Sequence, residues 1–173
     1  MRSDRHLLAW LLALACACAR CHAEPVPEAD MKAAFVFNFA VFTEWPQEVL
    51  PAGAAIQVCA NSANPLFAAL SQLNDKLVNG HHLTVRAATA SLRTCHVLVL
   101  GSHDRERWNQ LKRELAGATV LTVSDDRGIS ADGAIIGMSM ENLRVGFGVD
   151  MAAARAAHLT LSSKLLRLAR SVN

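Results

Sequence analysis

Apolar residues recur at the helical period near the start of the chain and at the strand period through its middle. In Met31-Lys-Ala-Ala-Phe-Val-Phe-Asn-Phe-Ala-Val-Phe-Thr-Glu-Trp-Pro46, Phe35, Phe39 and Phe42 sit at i, i+4 and i+7, one face of a helix. Val36, Ala40 and Thr43 widen that face. The pattern predicts a helix over 29–45, stopped by Pro46, which pushes the residue before it out of helical geometry. The end of this helix, Trp45-Pro46, is expected to stay exposed.

Residues 56–60 read as a strand, and Asn64-Pro65 open a helix running to Leu73, with Pro65 at a first-turn position. Asn79-Gly80 is a turn signal ahead of a strand over 82–86. The apolar run 96–100 and the stretch 119–123 read as strands buried on both faces. Trp108, Leu111 and Leu115 form one stripe of a helix over 105–115, ended by Gly117. Residues 124–128 read as a loop, 135–140 and 144–149 as a hairpin, and Asp150 as the cap of a helix over 151–157. A last helix is expected over 162–172. Alternating strands and helices predict a single α/β domain, a three-layer sandwich with a mainly parallel central sheet, helices on both faces and a late β-hairpin.

The first 23 residues read as a signal peptide, with Arg2 and Arg5 ahead of an apolar stretch and a cleavage point at Ala23. The chain is therefore expected to divide into a leader, 1–23, and one folded domain, 24–173. Removing Arg2, Arg5, Arg20 and Asp4 from the 17 cations and 15 anions leaves the remainder neutral. A neutral domain has no electrostatic reason to seek nucleic acid or anionic lipid. No later stretch reads as a membrane span, so direct membrane insertion is not expected.

Of the five cysteines, Cys16, Cys18 and Cys21 fall in the leader. Cys59 and Cys95 remain, an even pair in an oxidising compartment, and are expected to form a disulfide. The C-x-x-C-H pattern at Cys18-Ala-Arg-Cys21-His22 matches haem attachment but would leave with the leader, so no cofactor is expected. His81, His82, His96, His103 and His158 lack metal-ligand spacing, and no metal site is expected. There is no nucleophile elbow, Walker loop or dinucleotide fingerprint, and no catalytic residue is assigned. Ser124, Asp125 and Asp126 end a central strand, at the sheet edge where ligands of open α/β folds bind. A small-molecule-binding protein that uses this edge is the alternative reading.

The chain resembles the YfiR/HmsC-like proteins from about residue 29 to the end. The resemblance rests on Lys32-Ala-Ala-Phe35, Asn38-Phe39, Phe42 and Glu44-Trp45-Pro46 near the start. Cys95-His96-Val97 and Val123-Ser124-Asp125 carry it through the middle, and Arg144-Val-Gly-Phe147 and Leu159–Ala169 near the end. It departs at Phe37, where Tyr is usual, and at Asp150, where Asn is usual. The resemblance implies a periplasmic regulator, not an enzyme. Such a protein binds the periplasmic sensor domain of an inner-membrane diguanylate cyclase and represses cyclic-di-GMP synthesis and biofilm formation. Asn38, Glu44, Trp45, Lys164 and Arg167 are the candidates for partner contact, with a homodimer left open. A second disulfide near the late hairpin, known in such proteins, has no cysteines here.

Overall fold

A computed structural model describes residues 26–89 and 91–173. The leader and the C-x-x-C-H pattern lie outside the described residues. In chain order the elements begin with α1 (Glu28–Val41), β1 (Thr43–Glu44), β2 (Ile56–Ala60), α2 (Phe67–Ser71), β3 (Leu77–Val78) and β4 (His81–Ala87). After a 3₁₀ turn come β5 (Val97–Leu100), a second 3₁₀ turn, α3 (Trp108–Leu115), β6 (Leu121–Ser124) and α4 (Arg127–Ala131). The chain continues with β7 (Ile136–Glu141), β8 (Arg144–Val149), α5 (Met151–Ala156), β9 (Thr160–Leu161), α6 (Ser163–Leu168) and β10 (Ser171–Val172).

Eight strands form one sheet in the order β10-β8-β7-β6-β5-β2-β4-β3. From β4 through β2, β5 and β6 to β7 the pairings are all parallel. The β7–β8 hairpin and the short β3 add antiparallel edges. This is the expected α/β sandwich. Alternation along the central strands divides the core between two faces, as a period of two requires. Val58, Val97, Val99, Leu121 and Val123 join Val36 and Phe39 of α1, Leu70 of α2, Ala154 of α5 and Leu165 of α6. Cys59, Leu98 and Leu100 turn to the other face, against Trp108 and Leu111 of α3 and Ile129 of α4. Phe39 meets Phe147 of β8 edge-on, with ring centroids 5.0 Å apart.

Three local expectations are corrected. First, α1 stops at Val41, not Trp45. The Thr43 hydroxyl donates to the Phe39 carbonyl at 2.7 Å. Thr43 and Glu44 then pair with Leu161 and Thr160 as an antiparallel ribbon apart from the main sheet. Second, the last helix ends at Leu168. The Arg170 N–H donates to the Phe147 carbonyl and the chain joins β8 as β10. The guanidinium of Arg170 lies across Gly146, where any side chain would displace it, and pairs with Glu141. Third, a helix replaces the end of the 124–128 loop: the Asp126 carboxylate accepts from the Ile129 N–H at 3.0 Å and caps α4.

Cys59 and Cys95 are joined by a disulfide with Cα atoms 5.9 Å apart. The bridge ties β2 to the residues that enter β5, on the α3 face of the sheet.

Candidate functional site

The parallel strands turn at one point. The chain passes from β2 to β4 on one side and returns to β5 on the other, so the crevice between the C-terminal ends of β2 and β5 is the switch point. Its own side chains fill it. The buried Asn64 carboxamide sits over Gly101, and its Oδ1 accepts from the Leu66 N–H at 2.9 Å. Asp104 accepts from the Gly101 N–H at 3.1 Å. The cavity left between Asn61, Leu98 and Asp104 holds about 10 Å³, the size of one water.

The neighbouring Ser124-Asp125-Asp126 edge is engaged as well. Ser124 is buried, and its hydroxyl accepts from the Asp126 N–H at 3.0 Å. Asp125 accepts from the Lys32 ammonium at 2.7 Å, and Lys32 also holds Glu28 at 2.5 Å. Burial by itself would lower the Lys32 value; the hydrogen bonds to Asp125 and Glu28 outweigh it and hold the ammonium above its ordinary value. Asp126 pairs with Arg105, whose Nε lies 3.1 Å from Oδ1, and this partner holds the carboxyl below the usual range. A paired carboxylate is stabilising above its unfolded value and loses that contribution as pH falls through the lower folded one. Asp126→Ala, which removes the cap and orphans Arg105, is expected to lower stability by about 1 kcal/mol at neutral pH. The loss should shrink below pH ~4, where the carboxyl titrates in the unfolded chain. Urea melts at the two pH values measure both effects.

Among the described residues no group of three or more His, Cys, Asp or Glu side chains converges on a common centre. None of their helices is long and apolar enough to cross a membrane.

The remaining candidates separate by exposure. Asn38, Glu44, Lys164 and Arg167 are exposed. Trp45 is not: it is 9 % exposed, against the expectation that the end of the first motif stays open. Its ring meets His96 edge-on at 6.1 Å, and its indole N–H is buried without a partner. Asn38 lies on α1 beside a groove to α2, lined by Phe37, Ala69, Leu73 and Lys76. Glu44 is elsewhere. The β1–β9 ribbon sets it opposite Thr160, and the Ser162 N–H donates to the Phe42 carbonyl at 2.9 Å. Ser162 then caps α6 through the Lys164 N–H. Two segments from opposite ends of the chain, 42–46 and 159–169, thus meet at one surface.

Both segments lie inside the region, residues 29–170, that matches the family described as YfiR/HmsC-like. The chain belongs to the YfiR/HmsC-like family. At family level the match supports a regulator linked to diguanylate cyclases. A comparison with curated proteins returns no match. Among solved structures, a conserved domain protein from Vibrio cholerae O1 biovar El Tor shares the fold at a TM-score of 0.52. The two are 12% identical over 84% of this chain and 60% of that one. The chain therefore spans about 60% of that protein's length. The ABC domain in complex with L-Trp from Streptococcus pneumoniae has a TM-score of 0.48. It is 7% identical over 73% of this chain and 59% of that one.

The Lys32–Asp125 and Arg105–Asp126 pairs escape a reading of the sequence. Lys32 stands 93 residues from its partner, on a helix whose apolar stripe gives no hint of the contact. The cap of α4 had a signal, since Asp126 precedes the short apolar stretch around Ile129 at capping distance.

Proposed function

We propose that this YfiR/HmsC-like chain is exported by its leader and represses an inner-membrane diguanylate cyclase by binding the periplasmic sensor domain. The β1–β9 ribbon carries the reading. It joins the two motif-bearing ends of the chain and sets exposed Glu44 beside the start of the helix that bears exposed Lys164 and Arg167. Charged side chains of both signs on one surface suit a partner that must be recognised in one orientation. The repressor has to bind the inactive form of the cyclase more tightly than the active one, by a few kcal/mol for a useful switch. The sheet edge at Ser124–Asp126 gains no support as a ligand site, because its carboxylates already have partners.

Deleting the gene in cells that express the cognate cyclase is expected to raise cyclic-di-GMP; an unchanged nucleotide level counts directly against repression. Glu44→Lys, or Lys164→Glu with Arg167→Glu, is expected to raise it toward the deletion level. Each exposed substitution should move stability by no more than about 0.5 kcal/mol. Full repression by both variants would place the contact elsewhere. Export predicts an amino terminus near Glu24 in periplasmic material. A start at Met1, or a lipid on Cys16 or Cys18, is the contrary outcome of N-terminal sequencing.

A further inference from the structure

One buried imidazole holds the segment between β1 and β2 to the sheet. His96, at the entrance to β5, is 8 % exposed. Its Nδ1 accepts from the Gln57 N–H of β2 at 2.9 Å. A ring nitrogen that accepts carries no proton, so the proton of the neutral ring sits on Nε2. Nε2 donates to the Val49 carbonyl at 3.3 Å. Trp45 packs edge-on against the same ring. One ring in one tautomer therefore connects β2 to the loop that follows Trp45.

The charged and titratable surroundings are few. His81, on β4, acts on the charge of His96, and its Nδ1 donates to the Ala54 carbonyl at 2.8 Å, further along the same loop. Gln57 on β2 is neutral, and Cys95, next to His96, is in the disulfide. Glu44 and Glu48, on the loop itself, are exposed and take no part in the bonds of the ring.

We propose that His96 is an acid-operated latch: a proton on Nδ1 sets it against the Gln57 N–H, the charged ring is drawn from its buried place toward water, and the segment from Trp45 to Leu50, which packs on that ring, lifts with it. Two donors cannot share one hydrogen bond, and a charged ring at this depth is driven toward water. Burial, with the neighbouring His81, holds the imidazole below its ordinary value, against the opposing effect of the Val49 bond. The folded value thus lies below the unfolded value of about 6.5. The opened state binds the proton more readily, so the latch is whole above that pH and weakens as pH falls below it. Trp45 eases the release, because its orphan indole N–H finds water once the segment lifts. His81 is not the latch. Its Nδ1 donates to the Ala54 carbonyl, and among the described residues no backbone N–H stands against that ring as the Gln57 N–H stands against His96 Nδ1. The consequence, an acid-weakened grip on the partner, rests on the ribbon reading above, since Glu44 adjoins the freed segment.

The test reads the isolated protein. In a Trp108→Phe background, Trp45 is the reporter outside the leader. Acrylamide quenching of its fluorescence is expected to rise about threefold between pH ~7.5 and ~5, and the opening of the 47–50 amides, read as exchange relative to the intrinsic rate at each pH, about tenfold. His96→Asn offers Gln57 a carboxamide oxygen that does not titrate, and its profile should be flat. His81→Asn removes the neighbour that lowers the His96 value, so its transition should move to higher pH. A flat profile in the starting protein, or a transition that persists unchanged in His96→Asn, overturns the latch. Should His96→Asn fail to fold, the NMR titration of the His96 ring decides: its midpoint must coincide with that of Trp45 exposure, and a mismatch overturns the proposal. If the latch opens but capture of the cyclase from membranes is the same at both pH values, the latch stands and the ribbon reading fails.

Discussion

Replacing Cys59 and Cys95 together by alanine is expected to lower the free energy of unfolding by about 3–4 kcal/mol. The bridge spans a sequence separation of 36 and encloses α2, the β3–β4 hairpin and the turn before β5. Those residues must be brought together again in any unbridged chain, and chain-entropy reasoning gives a loss of that size. Alanine is the appropriate replacement because both cysteines are buried in the α3-side core, where a serine hydroxyl would add its own desolvation. Small domains are stable by about 5–15 kcal/mol, so the variant should still fold at 25 °C with a urea midpoint lower by about 1–3 M. Reduction of the unmodified protein should reproduce most of the loss. A drop under about 1 kcal/mol would mean that the unfolded chain is not appreciably restrained by the bridge. A loss on substitution but not on reduction would assign the effect to packing.

The middle of the fold was legible because local and tertiary signals agree there. The strands at 97–100 and 121–124 are buried along their whole length, and their alternate apolar side chains serve the two cores on either side of the sheet. Asn79-Gly80 turns the chain with both residues at positive φ, and the Asp150 carboxylate caps α5 through the Ala153 N–H at 2.8 Å. Apart from the short helix at Arg127–Ala131, the errors fall toward the two ends of the chain, where each end leaves helical geometry to pair with the other or with β8. Two-residue strands such as β1, β9 and β10 have no period to detect. Their stability comes from partners remote in sequence, which overrode a helical pattern that continued to Trp45 at one end and toward Val172 at the other.

The candidate site was legible in a similar proportion. Two segments on which the family resemblance rests, 42–46 and 159–169, do meet, while Asn38 lies apart; the pairing of Thr43 with Leu161 that joins them is invisible along the chain. At the Ser124–Asp126 edge the residue types suggested ligand chemistry, whereas two cations, Lys32 on α1 and Arg105 after β5, neutralise it. Composition cannot distinguish a carboxylate that awaits a ligand from one already paired, because both need the same polar residue at the same sheet edge. Trp45 was misread for the opposite reason. A large aromatic at a predicted helix end looks like an interface anchor. Once β1 replaces the last turn of that helix, the indole is carried inward, beneath the ribbon and against His96.

Trp45→Ala is therefore expected to act on folding first. Truncating a buried tryptophan costs about 3–5 kcal/mol, and here it removes the packing of the 45–50 segment on His96 along with its contacts in the larger core. The orphan indole N–H tempers the figure, since an unsatisfied buried donor carries a penalty of about 1–3 kcal/mol that alanine abolishes. A net loss of about 2–4 kcal/mol follows, close to that of the disulfide, and it should show as a lower urea midpoint and reduced protein in the cell. Trp45→Phe separates the two contributions. It keeps an aromatic ring beside His96 and deletes the unpartnered N–H, so its stability should stay within about 1 kcal/mol of the parent. If Trp45 acts through packing, the phenylalanine variant represses the cyclase normally while the alanine variant fails in proportion to its lost stability. A stable alanine variant, within about 1 kcal/mol of the parent, would return Trp45 to the surface. A stable phenylalanine variant that no longer represses would instead give the indole N–H a direct part in holding the partner.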